Sequence, residues 1–164
     1  LSQFLAQIAT ALEYSVTVCD PREEYRMAWS LPGIEMSHAM PDDVVAAMKL
    51  DSRSAVIALT HDPKLDDLAL MEALKSDAFY VGAIGSRLNN KNRRERLREF
   101  DLSERQIAKL HGPIGIYIGS KTPYEIAISI LAELTAVKNA VMLPDKMSVA
   151  ESKERYDAAV SLSI

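Results

Sequence analysis

Ser54–Asp62 reads SAVIALTHD. Ala55 to Leu59 form an unbroken apolar run that ends in Thr60, His61 and Asp62. A run this short and continuous reads as a strand buried on both faces, the pattern of a parallel sheet covered by helices. The chain then continues PKLDDLALMEALKS, with Leu65, Leu68, Ala69, Met71 and Leu74 on the apolar side of a helix. AFYVGAI, Ala78 to Ile84, repeats the buried-strand pattern. Strand, helix and strand in this order fix the fold class as α/β.

Working outward, the same alternation continues in both directions. Leu1 to Glu13 carries Leu1, Phe4, Leu5, Ile8 and Leu12 at helical spacing, and YSVTVCD then reads as a strand ending at Asp20. Arg22 to Met40 is polar, with a short strand expected near Ile34 to Met36. Pro41-Asp42-Asp43 opens a helix through about Leu50. Beyond AFYVGAI, residues 87–100 form a basic amphipathic helix, and DLSERQIAKL predicts a short helix capped by Ser103. HGPIGIYIGSKTP is extended and glycine-rich. Pro123 to Val141 is the clearest helix, with Thr122 and Glu125 spaced as a capping box.

The expected architecture is a Rossmann-like, doubly wound parallel sheet over residues 1–141, followed by a tail or loosely packed helix over 142–164. In such a fold, a helix leading into a strand that ends in Asp is the first helix and second strand. The first strand and its glycine loop are therefore expected before Leu1. The sheet of residues 1–164 is expected to be incomplete at its amino-terminal end, its central strand coming from outside these residues or from another chain.

The 164 residues carry 19 Lys and Arg against 23 Asp and Glu, a net charge of −4. General nucleic-acid binding is not favoured by that balance. Cys19 is the one cysteine, so no disulfide framework forms within the chain, which fits a cytoplasmic location. No apolar run is long enough to span a bilayer.

Several residues invite functional readings. Asp20 stands where an acidic side chain accepts hydrogen bonds from a ribose diol, or where a turn aspartate precedes Pro21. His61 and Asp62 lie at the carboxyl end of a strand, where open α/β sheets bind ligands; Asp62 also suits the N-cap of the next helix. Gly82, Gly85, Ser86 and Arg87 form a strand–glycine–helix turn able to hold an anion, or a tight turn with Ser86 as cap. The five basic residues of Lys91 to Arg98 read as a solvated face, an acidic-partner surface or an outer phosphate site. Gly112 and Gly115 open a second loop. Lys121 and Thr122 stand near a helix N-terminus, although Gly115 to Lys121 lacks P-loop spacing. No C-x-x-C, H-E-x-x-H or G-x-S-x-G is present, and no catalytic triad or metal cluster is expected.

Together, THD after a buried strand, YVGAIGSR…RRERL, and LHGPIGIYIGSKTPYEIAISILAEL resemble the carboxyl-terminal Rossmann-like domain of the XdhC/CoxI family. These are accessory proteins of xanthine dehydrogenase and carbon monoxide dehydrogenase. The resemblance implies a maturation factor, not a dehydrogenase, that binds molybdenum cofactor (molybdopterin), with a xanthine dehydrogenase-type apoenzyme and a cysteine desulfurase as partners. It also implies a separate amino-terminal domain, a complex with which, or homo-oligomerisation, would complete the site. The alternatives are an NAD(P)-dependent oxidoreductase, motivated by Asp20, and a non-enzymatic interaction module.

Overall fold

Two parallel sheets, not one, organise the described residues. The computed structural model describes residues 1–34, 36–60, 62–144, 147–149 and 151–152. Helix α1 (Ser2–Ala11) leads to strand β1 (Val18–Cys19), and α2 (Glu23–Ala28) to β2 (Met36–Ser37). Next come α3 (Pro41–Met48), β3 (Ala55–Ala58), α4 (Pro63–Lys75) and β4 (Tyr80–Ala83). Helices α5 (Arg87–Glu99) and α6 (Glu104–Ile107), strand β5 (Leu110–His111) and helix α7 (Pro123–Lys138) complete the series. β1 pairs with β2, β3 with β4, and β4 with β5, all in parallel. Among the described residues no ladder joins β1 to β3.

This is the Rossmann-like α/β sheet expected, interrupted. The doubly wound order 3-2-1-4-5-6 contains the observed neighbours β2-β1 and β3-β4-β5 on either side of its strand 1 position. The interruption accounts for the main difference in strand length. YSVTVCD has strand character through seven residues, yet only Val18 and Cys19 join a ladder. A strand paired on one side only has fewer hydrogen bonds to hold it extended.

Helices cover both faces of β3 and β4. On one face Val45, Leu70, Leu74, Val81, Leu97 and Ile107 form a core beneath α3, α4, α5 and α6. On the other, Leu5, Ile114, Ala127, Ile130 and Leu131 pack with Ile57 and Leu59 beneath α1 and α7. The Phe4 and Tyr124 rings stack with centroids 3.7 Å apart, and Lys138 Nζ lies 4.8 Å from the Tyr14 ring centre. Contacts at both ends set α1 and α7 side by side in the same direction.

Capping sets several boundaries. Asp62 caps α4 by accepting from Lys64 N–H at 2.9 Å. Thr122 and Glu125 form the capping box of α7, and Ser103 and Gln106 form another on α6. Helix α6 is shorter than its sequence pattern, because Leu110 and His111 turn into β5 instead of extending it. Past α7, Tyr117 N–H donates to the Met147 carbonyl at 2.7 Å and Ile116 bridges Ser148, so this part of the tail returns to the loop after β5.

Candidate functional site

The carboxyl ends of β1, β3 and β4 meet two spaces. A cleft of 1210 Å³ runs between β1 and β3. A smaller notch of 320 Å³ lies at the ends of β3 and β4, lined by Thr60, Gly85, Asn89, Asn92, Arg93 and Arg96 among others. Thr60 and Asp66 line both.

The notch is held by a buried ionic cluster. Asp66 Oδ1 accepts from Thr60 N–H at 3.1 Å and Thr60 Oγ1 at 2.8 Å, and its Oδ2 accepts from Arg93 Nη2 at 2.9 Å. Arg93 Nη1 also donates to the Ile84 carbonyl and to Asn90 Oδ1, at 3.0 and 2.8 Å. Asn90 in turn donates to the carbonyls of Gly85 and Ser86, each at 3.2 Å. One arginine, 4% exposed, thus ties α4, the end of β4 and the Gly85 turn together. Burial pushes the Asp66 carboxyl above its ordinary range, against the pull of Thr60 and Arg93.

Three further arginines of α5 also have partners within the chain. Arg94 donates to the carbonyls of Ile107 and Leu110, Arg96 to Asp67, and Arg98 to Glu104. A helix whose sequence reads as a solvated face, an acidic-partner surface or an outer phosphate site therefore directs four of its arginines to partners within the chain, Arg93 in the interior and Arg98 on the surface.

The sequence-predicted residues separate into groups. Asp20 lies just past β1 and lines the cleft. Both its oxygens are engaged by Arg22, at 2.8 Å from Nε and 2.7 Å from Nη2. Burial works to raise this carboxyl, but the Arg22 hydrogen bonds and charge leave it below its ordinary value. A ribose diol at this position would share the Asp20 carboxylate with Arg22. Gly85 adopts φ +133°, lines the notch and presents its turn there. Ser86 caps α5, accepting from Asn89 N–H at 3.1 Å, and Arg87 is exposed in the first turn. Gly82 sits inside β4, where a Cβ would come within 2.8 Å of the Tyr80 ring. His61 lies outside the described residues.

Gly112, Gly115, Lys121 and Thr122 line neither space. Gly112 packs against Asn90, and Gly115 donates its N–H to Glu133 at 2.6 Å with φ +98°. Glu125 Oε2 accepts from the N–H groups of Lys121 and Thr122 at 2.7 and 2.8 Å. The anion position at the α7 N-terminus is thus taken by the chain's own carboxylate.

A second buried network gave no signal in the sequence. Glu133 accepts from Tyr80 Oη at 2.6 Å and lies 3.0 Å from His111 Nδ1, while the Tyr80 and His111 rings stack at 4.4 Å. Burial acts to raise the Glu133 carboxyl, but its donors His111, Tyr80 and Gly115 bring it below its ordinary value. Among the described residues no group of His, Cys, Asp and Glu could hold a metal ion, and no helix is long and apolar enough to cross a membrane.

Comparisons with known proteins agree with this geometry. The XdhC Rossmann domain family matches residues 1–134. The molybdenum cofactor insertion chaperone PaoD of Escherichia coli is 31% identical over 93 residues, covering 57% of this chain and 29% of PaoD. The protein YqeB of the same organism is 34% identical over 141 residues, 85% of this chain and 26% of that protein. A probable xanthine dehydrogenase subunit of Bacillus subtilis is 26% identical over 138 residues, 84% and 40% of the two chains. The chain thus spans between about a quarter and two fifths of the length of these relatives. A crystal structure of a xanthine dehydrogenase from Bacillus halodurans superposes with a TM-score of 0.68 at 24% identity, over 84% of this chain and 41% of that one, and shows the shared fold.

Proposed function

The chain belongs to the XdhC Rossmann-domain family, and from that premise we propose that it serves molybdenum-cofactor maturation. In this reading it holds the cofactor at the carboxyl ends of its strands for delivery to a xanthine dehydrogenase-type apoenzyme. The function of PaoD supports the cofactor, and the name of the Bacillus subtilis relative supports the client class. A cysteine desulfurase is the further partner that this role calls for. The chain acts in this role as a carrier and not as an enzyme.

The observation that carries the reading is the notch beside the Gly85 turn. Its donor set fits a phosphate-bearing pterin. Gly85 lets backbone approach closely, and Asn89 and Asn92 offer amide groups to a polar ring edge; Arg87 stands outside the notch, in the first turn of α5. Arg93 and Arg96 are matched by Asp66 and Asp67, so they shape the notch more than they charge it. When bound, the cofactor brings a molybdenum centre whose redox chemistry belongs to the client.

The test is retention of the cofactor by the purified protein, read as fluorescence of its oxidised pterin. Arg87→Ala and Asn89→Ala are each expected to weaken retention about tenfold, the effect of one lost charge-assisted or amide hydrogen bond. Equal and negligible retention by the protein and both variants would remove this reading.

A further inference from the structure

The small notch is built along one stripe of a helix. Asn89, Asn92, Arg93 and Arg96 line it at the i, i+3, i+4 and i+7 positions of α5. Thr60, Pro63 and Asp66 line it from the side of α4. Its 320 Å³ is at the small end of the range of about 300–1,000 Å³ in which proteins hold small molecules. That is room for one ring system and not for a ring together with a long tail.

The charge of the lining is closed. Arg93 is paired with Asp66 at 2.9 Å, and Arg96 with the buried Asp67 at 2.6 Å. The α4 N-terminus at Pro63 is capped by the Asp62 carboxylate. A phosphate in the notch would meet cations that are already neutralised. Uncharged polar groups remain. Asn89 and Asn92 are exposed, and each amide sets a donor beside an acceptor. That arrangement matches a ring edge on which a carbonyl adjoins an N–H, by the same complementarity that pairs Asn with the edge of adenine. Arg96 adds a flat surface. Its Nε and Nη2 donate to the two Asp67 oxygens at 2.6 and 3.2 Å, while its side chain stays 36% exposed. The buried carboxylate therefore fixes the guanidinium plane, and a fixed guanidinium plane is a stacking surface for a planar ring.

We propose that the notch is a ring subsite, taking a planar, uncharged heterocycle with a cyclic-amide edge and leaving any phosphate of the ligand outside. Asn89 and Asn92 read the edge, and Arg96 lies against the face. A pterin and a guanine share this chemistry. That the ring is a pterin rests on the carrier role; the class of ring rests on the notch alone.

Titration of residues 1–164 with unsubstituted pterin, followed by its fluorescence, and with guanosine, followed by calorimetry, tests the proposal. Binding of a ring that carries no phosphate is expected, with no displacement by excess inorganic phosphate. Asn92→Ala and Arg96→Lys are each expected to weaken it about tenfold. Arg96→Lys keeps a cation beside Asp67, so its loss reads the missing plane, and Asn92→Ala removes an exposed side chain on which the fold does not depend. Failure of both rings to bind, displacement of the ring by phosphate, or full affinity in both variants would overturn the proposal. Guanosine binding more tightly than pterin would uphold the ring subsite and remove the carrier role. Retention of the whole cofactor without binding of either bare ring would overturn the ring subsite and leave the carrier role standing.

Discussion

The two halves of the sheet are held in different ways. Around β3, β4 and β5, side chains tie the strands to neighbouring elements: the buried Asp66 and Arg93 hold Thr60 and Ile84 just past β3 and β4, and the half-buried Arg94 holds Leu110 at the start of β5. Around β1 and β2 the described ion pair is local: Asp20 is gripped by Arg22 two residues on. The longer tie there sets a side chain on a backbone carbonyl, His38 Nδ1 lying 3.0 Å from the Asp20 carbonyl oxygen. The difference lies in the ion pairs: those that join separate elements, Asp66–Arg93 and Asp67–Arg96, stand beside β3 and β4. Where strands are paired on both sides or packed at a closed edge, buried charge is sheltered enough to bridge elements; beside the cleft, ion pairs stay near the chain that carries them.

Arg93→Ala tests this contrast most severely. It leaves Asp66 buried without its cation, and a loss of about 3–5 kcal/mol is expected in chemical denaturation. A loss below about 1 kcal/mol would mean that the clamp is dispensable and the contrast is one of appearance. Glu133→Ala comes next, at about 1–3 kcal/mol, because Tyr80 Oη and Gly115 N–H lose their acceptor.

Acid separates these two sites further. Glu133 titrates below its unfolded value, so its contribution is present above the ordinary carboxylate range and is lost as pH falls through its folded value. Asp66 titrates above its unfolded value, so its protonation in mild acid favours the folded chain. Denaturation of Glu133→Gln between neutral pH and about pH 3 is expected to show a shallower acid loss than the parent; an equal slope would place the acid sensitivity elsewhere.

Thr122→Ala is expected to cost about 1 kcal/mol through loss of the α7 cap, readable as a lowered thermal midpoint. Smallest is Arg22→Ala, at about 0–1 kcal/mol, since the pair it breaks is partly exposed. An effect as large as that of Arg93→Ala would erase the distinction between the halves.

The parts of the fold that were legible in the sequence are those written locally. The apolar runs of β3 and β4, the cap at Asp62 and the Thr122–Glu125 box each lie within a few consecutive residues. The clamps were not legible, because their partners are far apart: Asp66 and Arg93 are 27 residues apart, and Tyr80 and Glu133 are 53. Nothing local tells a clamping arginine from a solvated one, and so α5 read as a charged face. At the candidate site, the glycine turn was visible through Gly85 and Ser86, whereas Thr60 and Asp66 gained their place only when α4 folded back over β3. Gly82 was read with the turn because strand and loop are continuous in sequence; the Ile114 side chain that closes over it is a tertiary fact.

The burial of Arg93 bears on how the molecule meets salt. Mobile ions screen charges that water can reach, over a Debye length of about 8 Å at physiological ionic strength, and they do not enter a packed interior. The exposed Arg98–Glu104 pair will fade as salt is added, while Arg93 and Asp66 will not sense the change. The Gly85 turn will therefore keep its shape across brines that strip loosely held charge from the surface, and any salt dependence of ligand binding there will report on the ligand's own charge and on Arg87.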